Sequence, residues 1–239
     1  MRRLMFSLAA ACILAAPANA DIITKWTFDS VPPDDPIDTT TGTLDPAIGS
    51  GAVSLAPGIT FTYATGFPTP AGDNSGLNTV PMARPSSSDP IPDPKTRWIE
   101  FAAGTTGYQN IHLSWEQRWS NTAANTVLLQ LTSDGVNWTN YTTYLAGGAN
   151  NYYSYSFDLS GVAGVDNNAL FAFRLLPEVD PTTGELMAAR PTSAFSTNGT
   201  WRFDNVTLRG EEIPPVPEPI TMALVGTGLA AVAAMRRRK

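Results

Sequence analysis

The stretch "IHLSWEQRW", residues 111–119, decides the fold class. Ile111, Leu113, Trp115 and Trp119 fall on one side with Gln117, while His112, Ser114, Glu116 and Arg118 fall on the other. A period of two marks a strand with one face on a core and one in water. "YYSYSFDL" (152–159) repeats the pattern, setting Tyr153, Tyr155 and Phe157 against Ser154, Ser156 and Asp158. Around these two lie further β-branched or aromatic runs: "RWIEFAA" (97–103), "TVLLQLT" (126–132), "WTNYTTY" (138–144), "ALFAFRLL" (169–176) and "TWRFDNVTLRG" (200–210). "SDGVNW" (133–138) reads as a hairpin turn in which Asp134 and Gly135 supply the positive-φ positions. No stretch of the region sustains a helical period, and no internal repeat is present. Strands at roughly ten-residue spacing predict an all-β fold, an antiparallel jelly-roll-like sandwich.

Upstream the texture changes. Residues 30–95 are dense in Pro, Gly, Ser, Thr and Asp, as in "VPPDDPIDTTTGTLDPAIGSG" and "ARPSSSDPIPDPK", with short β-capable runs such as "ITFTY" (59–63). Proline lacks the donor a ladder needs, so long loops and edge strands are expected here.

The two ends differ from the middle. "MRRLMFSLAAACILAAPANA" has two arginines, an apolar run and Ala18-Asn19-Ala20, the layout of a secretory signal peptide cleaved before Asp21. Cys12, the single cysteine of the chain, falls within that segment, so the mature protein is expected to be free of thiols, disulfides and zinc-thiolate sites. The expected organisation is a signal peptide at 1–20, a sandwich at 21–210, a proline-rich tether at 211–216 and a sorting segment at 217–239. Between the two end segments the chain carries twenty carboxylates, all but Glu218, against nine cations, a net charge near −11. That balance disfavours nucleic acid, whose phosphates demand a cationic surface. It suits a soluble extracellular module, and acidic, carbonyl-rich loops suit a hard cation such as calcium.

The catalytic inventory is thin. His112 is the one histidine, which excludes multi-histidine metal centres, and no G-x-S-x-G elbow presents a nucleophile. Lying mid-strand between Ile111 and Leu113, His112 reads as solvent-facing or locally bonded. Asp34-Asp35 sits between prolines and reads as solvated loop, while Glu100 and Glu116 lie on predicted strands with unknown partners. A glycosidase would need two carboxyls at a set separation, and a non-enzyme is the expectation. Six tryptophans offer either core packing or flat platforms for sugar rings. Trp138, beside the hairpin turn, is the best exposed candidate for carbohydrate binding. One pairing is sharper: "WTFDS" opens the domain with Asp29 ending its first strand, and "WRFDNV" closes it with Asp204 in the last. First and last strands of a sandwich are often neighbours, so Asp29 and Asp204 either share a structural calcium or serve a turn and an outward face separately.

The chain ends "VPEPITMALVGTGLAAVAAMRRRK". Sixteen uncharged residues, Ile220 to Met235, lie between Pro217-Glu218-Pro219 and the cations Arg236, Arg237, Arg238 and Lys239. As a helix they span about 24 Å, short of a hydrocarbon core of about 30 Å, and snorkelling arginines extend that reach. The positive-inside rule keeps the basic tail cytoplasmic. A permanent anchor and a temporary hold fit these features equally. The order of triplet, apolar segment and basic tail resembles the PEP-CTERM sorting signal of Gram-negative bacteria, with Ile220 where a small or hydroxyl residue commonly follows and Thr221 next. The resemblance implies a transmembrane helix held in the inner membrane until an exosortase recognises Pro217, Glu218 and Pro219, then release or transfer to the cell surface, often in bacteria that make exopolysaccharide. "WTFD", "LTSDGVNWTNY", "FDLSGVAGVDNNALFAFRLL" and "GTWRFDNVTLRG" make the ectodomain similar to galactose-binding-like or lectin-like jelly rolls. That likeness implies carbohydrate binding and, at the positions of Asp29 and Asp204, a structural calcium. A purely structural matrix component is the alternative expectation.

Overall fold

The structure, a computed structural model, describes residues 20–33, 40–67 and 74–215. Its strands are β1 (Asp21–Trp26), β2 (Ala52–Leu55), β3 (Thr60–Thr65), β4 (Ser75–Val80), β5 (Ile99–Ala102), β6 (Tyr108–Trp119), β7 (Thr126–Thr132), β8 (Thr139–Leu145), β9 (Tyr152–Asp158), β10 (Ala172–Glu178) and β11 (Trp201–Glu212). They form two sheets, one ordered β3-β4-β11-β6-β9 with β1 alongside β11, the other ordered β2-β5-β10-β7-β8. All these pairings are antiparallel. The fold is therefore the antiparallel jelly-roll-like sandwich that the alternation predicted.

The inward sides of the alternating strands meet in one core. Ile111, Leu113, Trp115 and Trp119 of β6 face Val127, Leu129, Phe173 and Leu175 of the other sheet within a single buried cluster. Trp115 stacks on Phe173 at 5.9 Å and on Phe157 at 5.1 Å, and Phe101 stacks on Phe173 at 5.1 Å. Gln117 shares this buried face: its Oε1 accepts from Trp115 Nε1 (3.1 Å) and from the Tyr144 hydroxyl (2.7 Å), while its Nε2 finds no partner among the described residues. A buried amide oxygen with two donors is tolerated where an unpaired one is costly.

The front of the chain departs from expectation in one strand. β2 and β3 are edge strands, as proline density predicted, but β4 lies inside its sheet between β3 and β11. "SGLNTV" contains no proline, and its inward side is small or apolar enough to be buried. Thr79 seals the contact by donating its hydroxyl to Trp201 O at 3.1 Å. The Pro-rich stretch then forms a 3-10 turn, Pro94–Thr96, that packs against β10. Leu128 and Leu176, cross-strand partners on β7 and β10, are buried although they lie outside the main cluster. Thr126, Thr132 and Ala172 on the same face are buried too, while Gln130 and Arg174 stay partly exposed.

Two boundaries and one turn differ from expectation. β1 ends at Trp26, so Asp29 stands beyond the first strand rather than closing it. β11 runs on to Glu212, so the strand takes in the first two residues of the expected tether. In the β7–β8 hairpin Gly135 alone takes a positive φ (73°). Asp134 works through its side chain, accepting from the Val136 and Asn137 amides at 2.9 and 2.7 Å. The Asn137 side-chain amide, which donates to Asp134 Oδ2 at 2.7 Å, and then those backbone bonds hold its carboxyl well below the usual carboxylate range. Residues 1–19 and 216–239 lie outside the described residues, and with them nearly all of the expected signal peptide, the Pro-Glu-Pro triplet, the apolar segment and Arg236 to Lys239. Among the described residues no helix is long and apolar enough to cross a membrane.

Candidate functional sites

Asp29 and Asp204 are brought together. β1 pairs with β11, as the neighbour rule for terminal strands predicts, with Trp26 opposite Val206. Beyond β1 the chain turns at Phe28, whose φ of 62° is unusual for a residue with a β-carbon and aims the next residue at the start of β4. There Asp29 Oδ1 accepts from Ser75 N at 3.0 Å. On β11 the register against β6 shifts between Asp204 and Thr207, and Asn205 takes φ 49°. This bulge breaks the alternation, so Phe203 and Asp204 are both buried, at 0% and 3% exposure. The alternative of an outward Asp204 is thereby excluded.

The surroundings of Asp204 are rich in oxygen. Its Oδ2 accepts from Phe67 N and its Oδ1 from Asn205 N, both at 2.6 Å. A β-carbon added to the neighbouring Gly66 would stand 2.6 Å from Asp204 Oδ2, 2.6 Å from Asn74 Oδ1 and 2.8 Å from Ser75 O. Three oxygens of different chemistry thus converge on a space that glycine leaves empty. Burial pushes the Asp204 carboxyl up to about 7, with the Asp29 charge adding to the rise and the Phe67 and Asn205 amides and Lys25 opposing it. Carboxylate, amide and carbonyl oxygens are the donors that a hard cation takes. No group of three or more acidic, histidine or cysteine side chains gathers among the described residues, so an ion here would rely on neutral oxygens as well.

Trp138 belongs to a second site, on the open outer face of the five-stranded sheet. It is half-buried rather than freely exposed, because the Arg174 guanidinium lies 4.2 Å from its ring centroid. Around it runs a trough of about 310 Å³ lined by Glu100, Ala102, Thr132, Trp138, Leu170 and Ala172 among others. Its depth follows from register: Ala102 and Ala172 are cross-strand neighbours, and their methyl groups line its floor. The next outward row is polar, running Ser54, Glu100, Arg174, Gln130, Asn140 across all five strands. Arg174 Nε donates to Gln130 Oε1 and Gln130 Nε2 to Asn140 Oδ1, both at 2.6 Å. Burial raises the Glu100 carboxyl while Arg174 pulls it down. Sequence reasoning placed only Trp138 here. Glu100, Gln130 and Arg174 each stand out as the polar residue of an apolar run, but their common row depends on register.

The remaining candidates separate. Glu100 and Glu116 face solvent from opposite sheets and do not form a carboxyl pair, and Glu100 is the single carboxylate among the described residues lining the trough. His112 is locally bonded, with Nε2 3.4 Å from Asp158 Oδ1 at the surface. Trp26, Trp115, Trp119 and Trp201 are core residues.

Residues 215–239 match the protein family described as the PEP-CTERM protein-sorting motif. No curated protein matches the chain. Among solved structures it is similar to the CBM22-1–GH10 modules of the endo-1,4-beta-D-xylanase 10B of Clostridium thermocellum complexed with xylohexaose, at 12% identity and TM-score 0.44 over 82% of this chain and 30% of that one. It is also similar to the CBM22-1–CBM22-2 tandem domain of Xyn10C from Paenibacillus barcinonensis, at 9% identity and TM-score 0.47 over 85% of this chain and 50% of that one. A family 29 carbohydrate binding module shares 10% identity and TM-score 0.40 over 86% of this chain and 97% of its own. The chain thus spans half or less of the first two structures.

Proposed function

We propose that this is an exported bacterial surface or matrix protein, held at the inner membrane by its sorting segment until an exosortase acts, whose sandwich binds carbohydrate without catalysis. The observation that carries the binding role is the trough at Trp138. An indole held by a guanidinium, a methyl-floored depression and a row of amide, carboxylate and guanidinium groups supply both kinds of contact that a sugar needs. Apolar C–H faces stack on aromatic rings, and hydroxyls pair with fixed polar groups. Asp29, Asp204, Asn74 and Ser75 would hold a calcium ion, whose charge offsets two adjacent carboxylates and ties β1, β4 and β11 together.

A glycan array probed with the full chain in detergent should show binding to neutral polysaccharide. Trp138→Ala should weaken it by about 2 kcal/mol, some thirtyfold, as expected for truncating an aromatic anchor. Silence on every polysaccharide sinks the binding role. The structural alternative has its own support: β8, "TNYTTYL", is a sheet edge without a charge or a proline, the kind of edge on which further copies can pair. Concentration-dependent assembly with a silent array favours that reading.

The sorting role is tested separately. Mass spectrometry of surface-released protein should find a C-terminus that lacks Arg236 to Lys239, and Glu218→Ala should leave the chain in the membrane fraction. Released protein that retains the basic tail contradicts it.

A further inference from the structure

Arg118 of β6 and Arg202 of β11 are direct cross-strand partners on the outer face of the six-stranded sheet. Like charges in that position repel, and this chain has a large excess of carboxylates that could have separated them. Yet the sole ion pair among the described residues is His112 with Asp158. The two guanidiniums are fixed by neutral oxygens instead. Arg118 donates Nε to Asn150 O at 3.1 Å and Nη2 to Asn150 Oδ1 at 3.4 Å, and its Nη1 donates to nothing among the described residues. Arg202 donates Nε to Asn78 Oδ1 at 3.3 Å and Nη1 to Thr65 O at 2.9 Å. Glu116, the nearest outward carboxylate along β6, is held by the Ser154 hydroxyl at 2.9 Å from each oxygen.

An aromatic ring completes the arrangement. Tyr152 of β9 pairs with Arg118, and its hydroxyl donates to the same Thr65 O (2.9 Å) that Arg202 holds. Gly76 makes room at the far end, since a β-carbon there would stand 2.9 Å from the Tyr152 hydroxyl oxygen. Phe67 braces the ring edge-on at 5.8 Å. Two cations with no ion-pair partner among the described residues, and a fixed ring beside them, form a prepared surface.

The geometry points to a second glycan site on this face, one that takes the carboxylate of an acidic sugar residue between Arg118 and Arg202 with the sugar against Tyr152. A guanidinium fork matches a planar carboxylate, and the pair would relieve its own repulsion on binding. The site lies on the sheet opposite the Trp138 trough, so one copy would engage an acidic chain and a neutral one on different faces.

The test is affinity electrophoresis of the full chain in detergent micelles through polygalacturonate, its fully methyl-esterified form, dextran sulfate and plain dextran. Polygalacturonate should retard the wild type, esterification should abolish the effect, and added salt should weaken it. Arg118→Gln should cost about tenfold in affinity, the worth of one charge-assisted hydrogen bond, without a change in Tm. Trp138→Ala should leave it unchanged. Equal retardation by dextran sulfate supports the oxyanion site and assigns sulfate as an alternative source of the charge. Indifference to polygalacturonate, equal binding of the methyl ester, or an unaffected Arg118→Gln overturns the assignment. Should Arg118→Gln melt early, Arg118→Lys decides, because it keeps the charge. Binding stronger than that of the glutamine variant supports the site, because the charge remains although the fork is lost, and binding as weak as the glutamine variant refutes it.

Discussion

In a chelating buffer the protein should lose stability as the pH rises from about 4 to about 7, and calcium should restore it. The sign follows from Asp204. Its folded carboxyl is raised from 3.8 to about 7, so between those values the native state keeps a proton that the unfolded chain has released. Stability falls with pH wherever the native state binds more protons. Over that window the loss is on the order of 4 kcal/mol, or roughly 10 °C in Tm for a domain of this size. Calcium binds the ionised form, so it should do little below pH 4 and most above pH 7, adding about 2.7 kcal/mol at a hundredfold excess over its Kd. Gly66→Ala separates this account from a simple buried acid. Its β-carbon would enter the space between Asp204 Oδ2, Asn74 Oδ1 and Ser75 O, so the variant should melt early and respond equally to calcium and chelator. Thermal melts across pH, with and without chelator, decide the matter. A wild-type Tm indifferent to chelator at pH 7.5 removes the ion.

Trp115→Ala should destabilise the chain by about 3–5 kcal/mol, whereas Trp138→Ala should cost less than about 1 kcal/mol. Trp115 is 2% exposed and stacks on Tyr155 and Phe157 of its own sheet and on Phe173 of the other. Its loss opens a cavity and leaves Gln117 Oε1 with one donor in place of two. Trp138 rests on the surface against Arg174, and its removal empties a trough that is already open to water. Urea titration of both variants beside the glycan array gives the cross-over expected of one packing residue and one binding residue. A large stability loss in Trp138→Ala would assign it to packing instead.

The alternation in "IHLSWEQRW" and "YYSYSFDL" suffices for the sheet character, because side chains on a strand must point to opposite faces whatever the strand pairs with. The same local rule separates Trp115 and Trp119 from His112 and Arg118, and composition alone delimits the Pro-rich front and the two end segments. The order of triplet, apolar run and basic tail is likewise a linear pattern, read without a fold, and residues 215–239 match the sorting motif.

Register is not local, and here the tertiary structure decided. Asp204 breaks the alternation through a bulge against β6, so its burial was hidden from any count by twos. Its neighbour Gly66 and the Ser75 carbonyl carry no side-chain signal that would mark them as part of a site. Glu100, Gln130 and Arg174 share a row only because β5, β10 and β7 pair as they do. Arg118 and Arg202 lie 84 positions apart in the sequence and opposite one another in the sheet. Which side of a strand a residue takes is set by its own neighbours in the chain, while what it meets there depends on hydrogen bonds made by residues far away.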